Sequence, residues 1–152
     1  MRIAIGCDDA ACHLKAEIME HIKKCHQEIE IEDFGIHEGE TTMYPDIAWK
    51  VAQTVADHKF DRGILMCGTG IGMSICANKV PGIRAAVCHD PFSAQRARKS
   101  NNAQILCMGE RVVGTELAKC LVDIWLKCDF AGGNSEKKVE RICELEKSSV
   151  RV

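Results

Sequence analysis

The stretch GILMCGTGIGMSICAN, residues 63–78, holds an apolar run, a glycine-rich turn and a helical pattern in one unbroken block. Gly63–Cys67 is short and apolar, as a strand buried on both faces must be. Ile71–Asn78 reads as a helix that ends near Pro81-Gly82. Between them, glycines at 68, 70 and 72 allow close backbone approach and φ > 0. Backbone N–H groups at such a turn, with the start of the following helix, form an anion cradle. The block is one strand–turn–helix unit.

The same unit recurs on either side. Arg2–Cys7 is a second apolar run, followed by Leu14, Ile18, Ile22 and Cys25 at helical spacing. Ile29 and Ile31 alternate with Glu30 and Glu32, which predicts a half-exposed strand near a sheet edge. Ala48, Val51, Ala52 and Val55 form the next helical stripe. Arg84–Cys88 reads as a strand and Pro91–Ser100 as a helix. Ala103–Met108 reads as the fifth strand. Leu117, Leu121, Ile124 and Cys128 predict a helical face, and Gly132-Gly133 breaks the chain before a charged helix at about 135–147. On that helix Val139, Ile142 and Leu145 share a side. Five βα repeats and a terminal helix predict the α/β class: a single doubly wound, Rossmann-like domain over residues 1–152. Its five-stranded parallel sheet is flanked by helices, with the C-terminal helix extra.

Composition narrows the function classes. A chain of 152 residues suits one domain, and hydrophobic residues at 46% with charged residues at 28% read as globular. A net charge of -2 gives no support to a nucleic-acid or membrane-surface role. No apolar run reaches the roughly 18 residues of a membrane span, and MRIAIGCDD resembles no secretory signal, so the expected location is the cytoplasm. The ten cysteines are then expected to be reduced, and most to be small buried hydrophobes, among them Cys76, Cys120, Cys128 and Cys143. No CxxC pair and no Cys/His zinc spacing occurs, so no metal site and no cofactor is expected.

In open α/β sheets ligands sit beyond the carboxyl ends of the strands. Cys67 stands there, just before the cradle, where the positive start of a helix favours a thiolate that can act as base or nucleophile. A buried structural cysteine is the equal alternative. Asp8 and Asp9 follow the first strand, where one can cap a helix and the other can hold sugar hydroxyls. Arg111 follows the fifth strand as a phosphate ligand or a surface ion-pair partner. Ser100-Asn101-Asn102 precede that strand as turn residues. Of six histidines only His89 is expected on this edge, the others being solvated. The GxGxG spacing after the third strand differs from a dinucleotide fingerprint, which leaves a nucleotide-binding module as the weaker alternative of another class. A thiol-based redox sensor or cysteine hydrolase is another.

IAIGCD (3–8), YPD (44–46), CGTGIGMSICANKVPGIRAAVC (67–88), SAQRAR (93–98), GERVVGTELAK (109–119) and AGGN…KKVERI (131–142) together resemble the ribose-5-phosphate isomerase B / galactose-6-phosphate isomerase family. The resemblance implies aldose–ketose isomerisation of sugar phosphates through a cis-enediolate, without cofactor. It implies Cys67 as the base, with Thr69 and the backbone of Gly68, Gly70, Ile71 and Gly72 around the enediolate oxygens. It assigns Asp8, Asp9, Tyr44 and Asn101 to the sugar, and Arg111, Asn134 and Lys138 to the phosphate. It also implies a homodimer or tetramer with shared sites, the C-terminal helix serving the neighbour. The default substrate pair is ribose 5-phosphate and ribulose 5-phosphate. Three departures stand out: Asp9 where the family carries His, Ser100 where it carries the ring-opening His, and Asn134 and Lys138 where it carries arginines. A hydroxyl cannot do the acid catalysis of an imidazole at neutral pH. A tetrose phosphate, which cannot close a furanose, or another sugar, unphosphorylated or phosphorylated elsewhere, is therefore the alternative substrate.

Overall fold

A computed structural model describes residues 1–149. Its strands are β1 (Arg2–Cys7), β2 (Glu30–Asp33), β3 (Arg62–Cys67), β4 (Ala85–Val87) and β5 (Ile105–Gly109). Its helices are α1 (Cys12–Cys25), α2 (Tyr44–Ala56), α3 (Ile71–Ala77), α4 (Pro91–Lys99), α5 (Thr115–Lys127) and α6 (Glu136–Ser149). The sheet is parallel, in the order β2-β1-β3-β5-β4. The chain winds outward from β1 to β2, then crosses back through β3, so β1 and β3 flank the switch point where such sheets open a crevice.

Alternation along the central strands divides the core. Ile3, Ile5, Ile64, Met66, Leu106 and Met108 face α1, α4 and α5. Ala4, Leu65, Cys67, Ile105 and Cys107 face α2 and α3. Helices therefore cover both faces, as the βα repeat predicts. The edge position of β2 accounts for its exposed Glu30 and Glu32 beside Ile31. Arg62, buried at the start of β3, donates to the carbonyls of Trp125, Leu126 and Cys128, which terminate α5. Its guanidinium also lies 5.2 Å from the Trp125 ring. One cation thus satisfies the unpaired carbonyls of a helix end inside the core.

Four sequence expectations need correction. The buried face of α5 is Ala118, Leu121, Val122, Trp125 and Leu126, while Leu117 is exposed. Trp125 dominates that face by size and rotates it from the expected stripe. Cys25 also lies on the exposed side of its helix. On α6 only Val139 is buried; Ile142 and Leu145 are 46% and 51% exposed. That helix touches its own chain through Glu146, which accepts from the Gly82 N–H at 2.9 Å, and Cys143, 3.8 Å from Arg84. Among the cysteines Cys7, Cys67, Cys88, Cys107 and Cys128 are buried, whereas Cys120 is exposed and Cys76 and Cys143 are half-buried. All ten are free thiols. No helix among the described residues is long and apolar enough to cross a membrane.

Candidate active site

β3 delivers Cys67 to the carboxyl edge of the sheet, 6% exposed. The turn that follows curls back over the thiol, and the Gly70 N–H donates to Cys67 Sγ at 3.0 Å. This curl requires glycine. Gly70 has φ 75°, and a Cβ there would stand 2.9 Å from the Met108 backbone. β5 supports the turn from beneath. The Glu110 N–H donates to the Cys67 carbonyl at 2.9 Å, and the Arg111 N–H to that of Gly68 at 3.1 Å. A Cβ on Gly109 would collide with Thr69 Cα at 2.5 Å, so bare backbone lies on bare backbone. The Gly70 N–H thus aims a fixed backbone donor at Sγ.

The remaining carboxyl-edge residues converge here. Asp8 leaves β1 beside Met66, its N–H donating to the Met66 carbonyl at 3.3 Å, and its carboxylate accepts from the Ala10 N–H at 3.1 Å. Burial pushes the Asp8 carboxyl up, against the opposing pull of that N–H and of Arg111. The Arg111 side chain lies along Gly68, where a Cβ would stand 3.4 Å from its Cδ. Tyr44, at the start of α2, packs its ring over Gly72, where a Cβ would lie 2.6 Å from Cζ. Thr69 is exposed, and its Oγ1 accepts weakly from the Ile71 N–H at 3.4 Å. Ile71 is exposed. His89 accepts from the Gly109 N–H through Nε2 at 3.0 Å, which places its ring proton on Nδ1. Burial holds the His89 imidazole below its ordinary pKa, against the pull of Asp90. His89 therefore braces the end of β5 under the cradle.

Asp9 is exposed and lines a groove of about 760 Å³ with His13, His37, Lys15, Asp33 and Glu110. His13 and His37 thus also occupy this edge, where only His89 was expected. The buried Lys15 bonds Asp33 and the Ile36 carbonyl, both at 2.7 Å, and pins the loop after β2.

Other expected site residues stand at the opposite edge of the same chain. Ser100 terminates α4 with its hydroxyl bound to the Arg96 guanidinium. The Asn101 carbonyl accepts from Arg84 Nε, just before β4, at 3.1 Å. Cys67 pairs in register with Gly109 and Gly63 with Ile105, so Cys67 and the residues preceding β5 are separated by a strand length of about 13 Å. Asn134 and Lys138 are exposed on a segment tied to that far edge, where the Ala131 N–H donates to the Lys99 carbonyl at 3.0 Å.

The sequence reading missed one cluster. His21 and His26, expected to be solvated, both bond Asp123 across the α1–α5 interface. Burial pushes the Asp123 carboxyl up, and the bonds from His26 and His21 outweigh it, leaving it below the usual carboxylate value. Helical spacing on α5 could have flagged Asp123 beside α1, but nothing in the pattern pairs it with histidines this distant in sequence.

A family model described as ribose/galactose isomerase matches residues 3–142. The chain is 51% identical over 149 residues to the protein named ribose-5-P isomerase B of Listeria innocua, covering 98% of this chain and 99% of that one. It is 52% identical over 143 residues to D-erythrulose-4-phosphate isomerase of Pectobacterium atrosepticum, covering 93% of each. Its fold matches that of ribose-5-phosphate isomerase B of Clostridium thermocellum with a TM-score of 0.93 at 50% identity, over 97% of this chain and 99% of the other.

Proposed function

From the premise that the chain belongs to the ribose/galactose isomerase family, we propose that it interconverts an aldose phosphate and a ketose phosphate with Cys67 as the base. The observation that carries this reading is the Gly70 N–H bond to Cys67 Sγ in a glycine turn open to the carboxyl edge. The thiolate removes the proton from the carbon beside the carbonyl, giving a cis-enediolate. It then returns that proton to the neighbouring carbon, while a second proton passes between the two oxygens. Thr69 and the unused N–H groups of the turn face the charge that develops on those oxygens. Asp8 and Tyr44 border the sugar, and Arg111 provides a guanidinium beside Gly68 for an anionic group. No step needs a cofactor.

Asn101, Asn134 and Lys138 reach substrate only from a second copy of the chain, because they stand at the edge opposite Cys67. The exposed Ile142 and Leu145 on α6 suit burial in such an assembly. The thiolate base requires a reducing compartment, consistent with the cytoplasm.

Ribose 5-phosphate and ribulose 5-phosphate are the first substrate pair on this reading. One observation favours a four-carbon phosphate instead. Ser100 stands where the family's ring-opening acid would be, and its hydroxyl is engaged by Arg96. A tetrose with phosphate on its terminal oxygen cannot close a furanose and needs no such acid. Turnover by a panel of tetrose, pentose and hexose phosphates tests both readings. Superior kcat/KM on the tetrose phosphate selects the second, and superior kcat/KM on ribose 5-phosphate selects the first. No interconversion of aldose and ketose with any phosphate of the panel overturns the isomerase reading.

A further inference from the structure

The amino edge of the sheet carries a side-chain cluster that the isomerase chemistry does not use. His21 lies on the last turns of α1, His26 follows that helix as its cap, and Asp123 projects from α5. His21 Nε2 is 2.8 Å and His26 Nε2 is 2.7 Å from the same oxygen, Asp123 Oδ1. The three potential ligand atoms lie within 4.8 Å of one another.

The second ring nitrogens also face partners. His26 Nδ1 is 3.8 Å from Glu28 Oε1, and His21 Nδ1 is 3.8 Å from Cys25 Sγ. Glu28, 74% exposed, is near enough to take up a hydrogen bond from Nδ1 only by moving, which is the contact that would orient a metal-binding histidine. The His26 side chain is 10% exposed and held by Asp123. An open groove of about 780 Å³, lined by Glu17, Glu20, Glu116, Lys24, Lys119 and Lys127 as well as His21 and Asp123, connects the cluster to solvent, and within it Lys119 pairs with Glu17 and Glu116.

Two imidazole nitrogens and one carboxylate converging on one point are a donor set suited to borderline divalent cations, with further positions left for water. Bonds of about 2.0–2.1 Å would need each imidazole nitrogen to part from Asp123 Oδ1 by about half an ångström, and the two nitrogens, within 4.8 Å of each other, to settle at about 3.3 Å. We propose that His21, His26 and Asp123 form a binding site for one divalent cation of the zinc class, clasping the end of α1 to α5 at the edge remote from Cys67. Binding moves each neutral ring proton from Nε2 to Nδ1, where Glu28 and Cys25 face it.

Cobalt(II) titrated into the reduced, chelator-stripped full chain tests the site and separates it from the cysteines. One equivalent is expected, with visible d–d bands and no near-ultraviolet sulfur-to-cobalt charge transfer. D123N, and H21Q at the more accessible ligand, should each weaken that binding by about tenfold or more. Zinc at a hundredfold excess over the wild-type Kd should raise the wild-type Tm by about 5–10 °C and that of D123N by no more than about half as much. Circular dichroism and retained sugar-phosphate turnover establish that each variant is folded. Thiolate charge transfer, equal binding by D123N and wild type, or no binding by the wild type would each overturn the site and leave a hydrogen-bonded clamp between two helices.

Discussion

The two edges of the sheet differ in what one chain completes. At the carboxyl edge, Asp8, Tyr44, Cys67, the glycine turn and Arg111 meet within a single copy, locked by backbone bonds from β5. At the amino edge, Ser100, Asn101, Asn134 and Lys138 lie exposed or partly exposed around the start of β5 and α6, with no base nearby to serve. On the proposed reading the difference assigns proton transfer to the βα turn of one chain and grip on the far end of the substrate to an assembly of chains. Substrate choice can then change at positions such as Ser100 without disturbing the cradle.

The sharpest break of this comparison is Cys67→Ala, which should lower kcat by about 10²- to 10⁴-fold while leaving the circular dichroism spectrum unchanged. Full activity in that variant refutes the base assignment. Mixing C67A with K138E chains comes next. Two copies with shared sites regain one intact site per mixed dimer, so activity should rise well above that of either variant alone. If mixing restores nothing, each chain holds its own complete site. Lys138→Ala alone should raise KM by about tenfold with little change in kcat, as expected for a lost charged contact to a bound phosphate. A fall in kcat with KM unchanged would move Lys138 away from phosphate binding.

The smallest effect concerns the brace under the cradle. Burial lowers the His89 pKa, so the unfolded chain binds the proton more readily than the folded one. The stability that His89 contributes is therefore present above about pH 6.5 and is lost as pH falls through its lowered folded value. Asp90, the neighbouring charge, acts in the opposite direction. Urea midpoints should decline below that pH, and His89→Asn should flatten the decline. An unchanged slope in the variant assigns the effect to other groups.

Much of the carboxyl edge was legible because its determinants are local. The glycines at 68, 70 and 72 sit beside Cys67 in the chain, and the strand before them forces the thiol to the edge. Asp8 and Arg111 were legible for the same reason, each following a strand. Tyr44 was legible only by resemblance, since nothing in its own neighbourhood points to Gly72. The α5 stripe was misread because Trp125, the largest fully buried side chain, turns the helix toward β3 and its Arg62. Cys120 and Cys143 were misplaced because cysteine tolerates either surface or core, so its identity says little about depth.

The sequence by itself determined the α/β class, the order of the repeats and the glycine cradle around Cys67. Those follow from periodicity and from backbone conformations available only to glycine. Only the tertiary structure decided which edge each remaining residue occupies. It set Ser100 and Asn101 a strand length from Cys67, left the apolar side of α6 uncovered, and brought His21 and His26 onto one oxygen of Asp123. Those outcomes depend on strand order and helix packing angles, which are global compromises of the core.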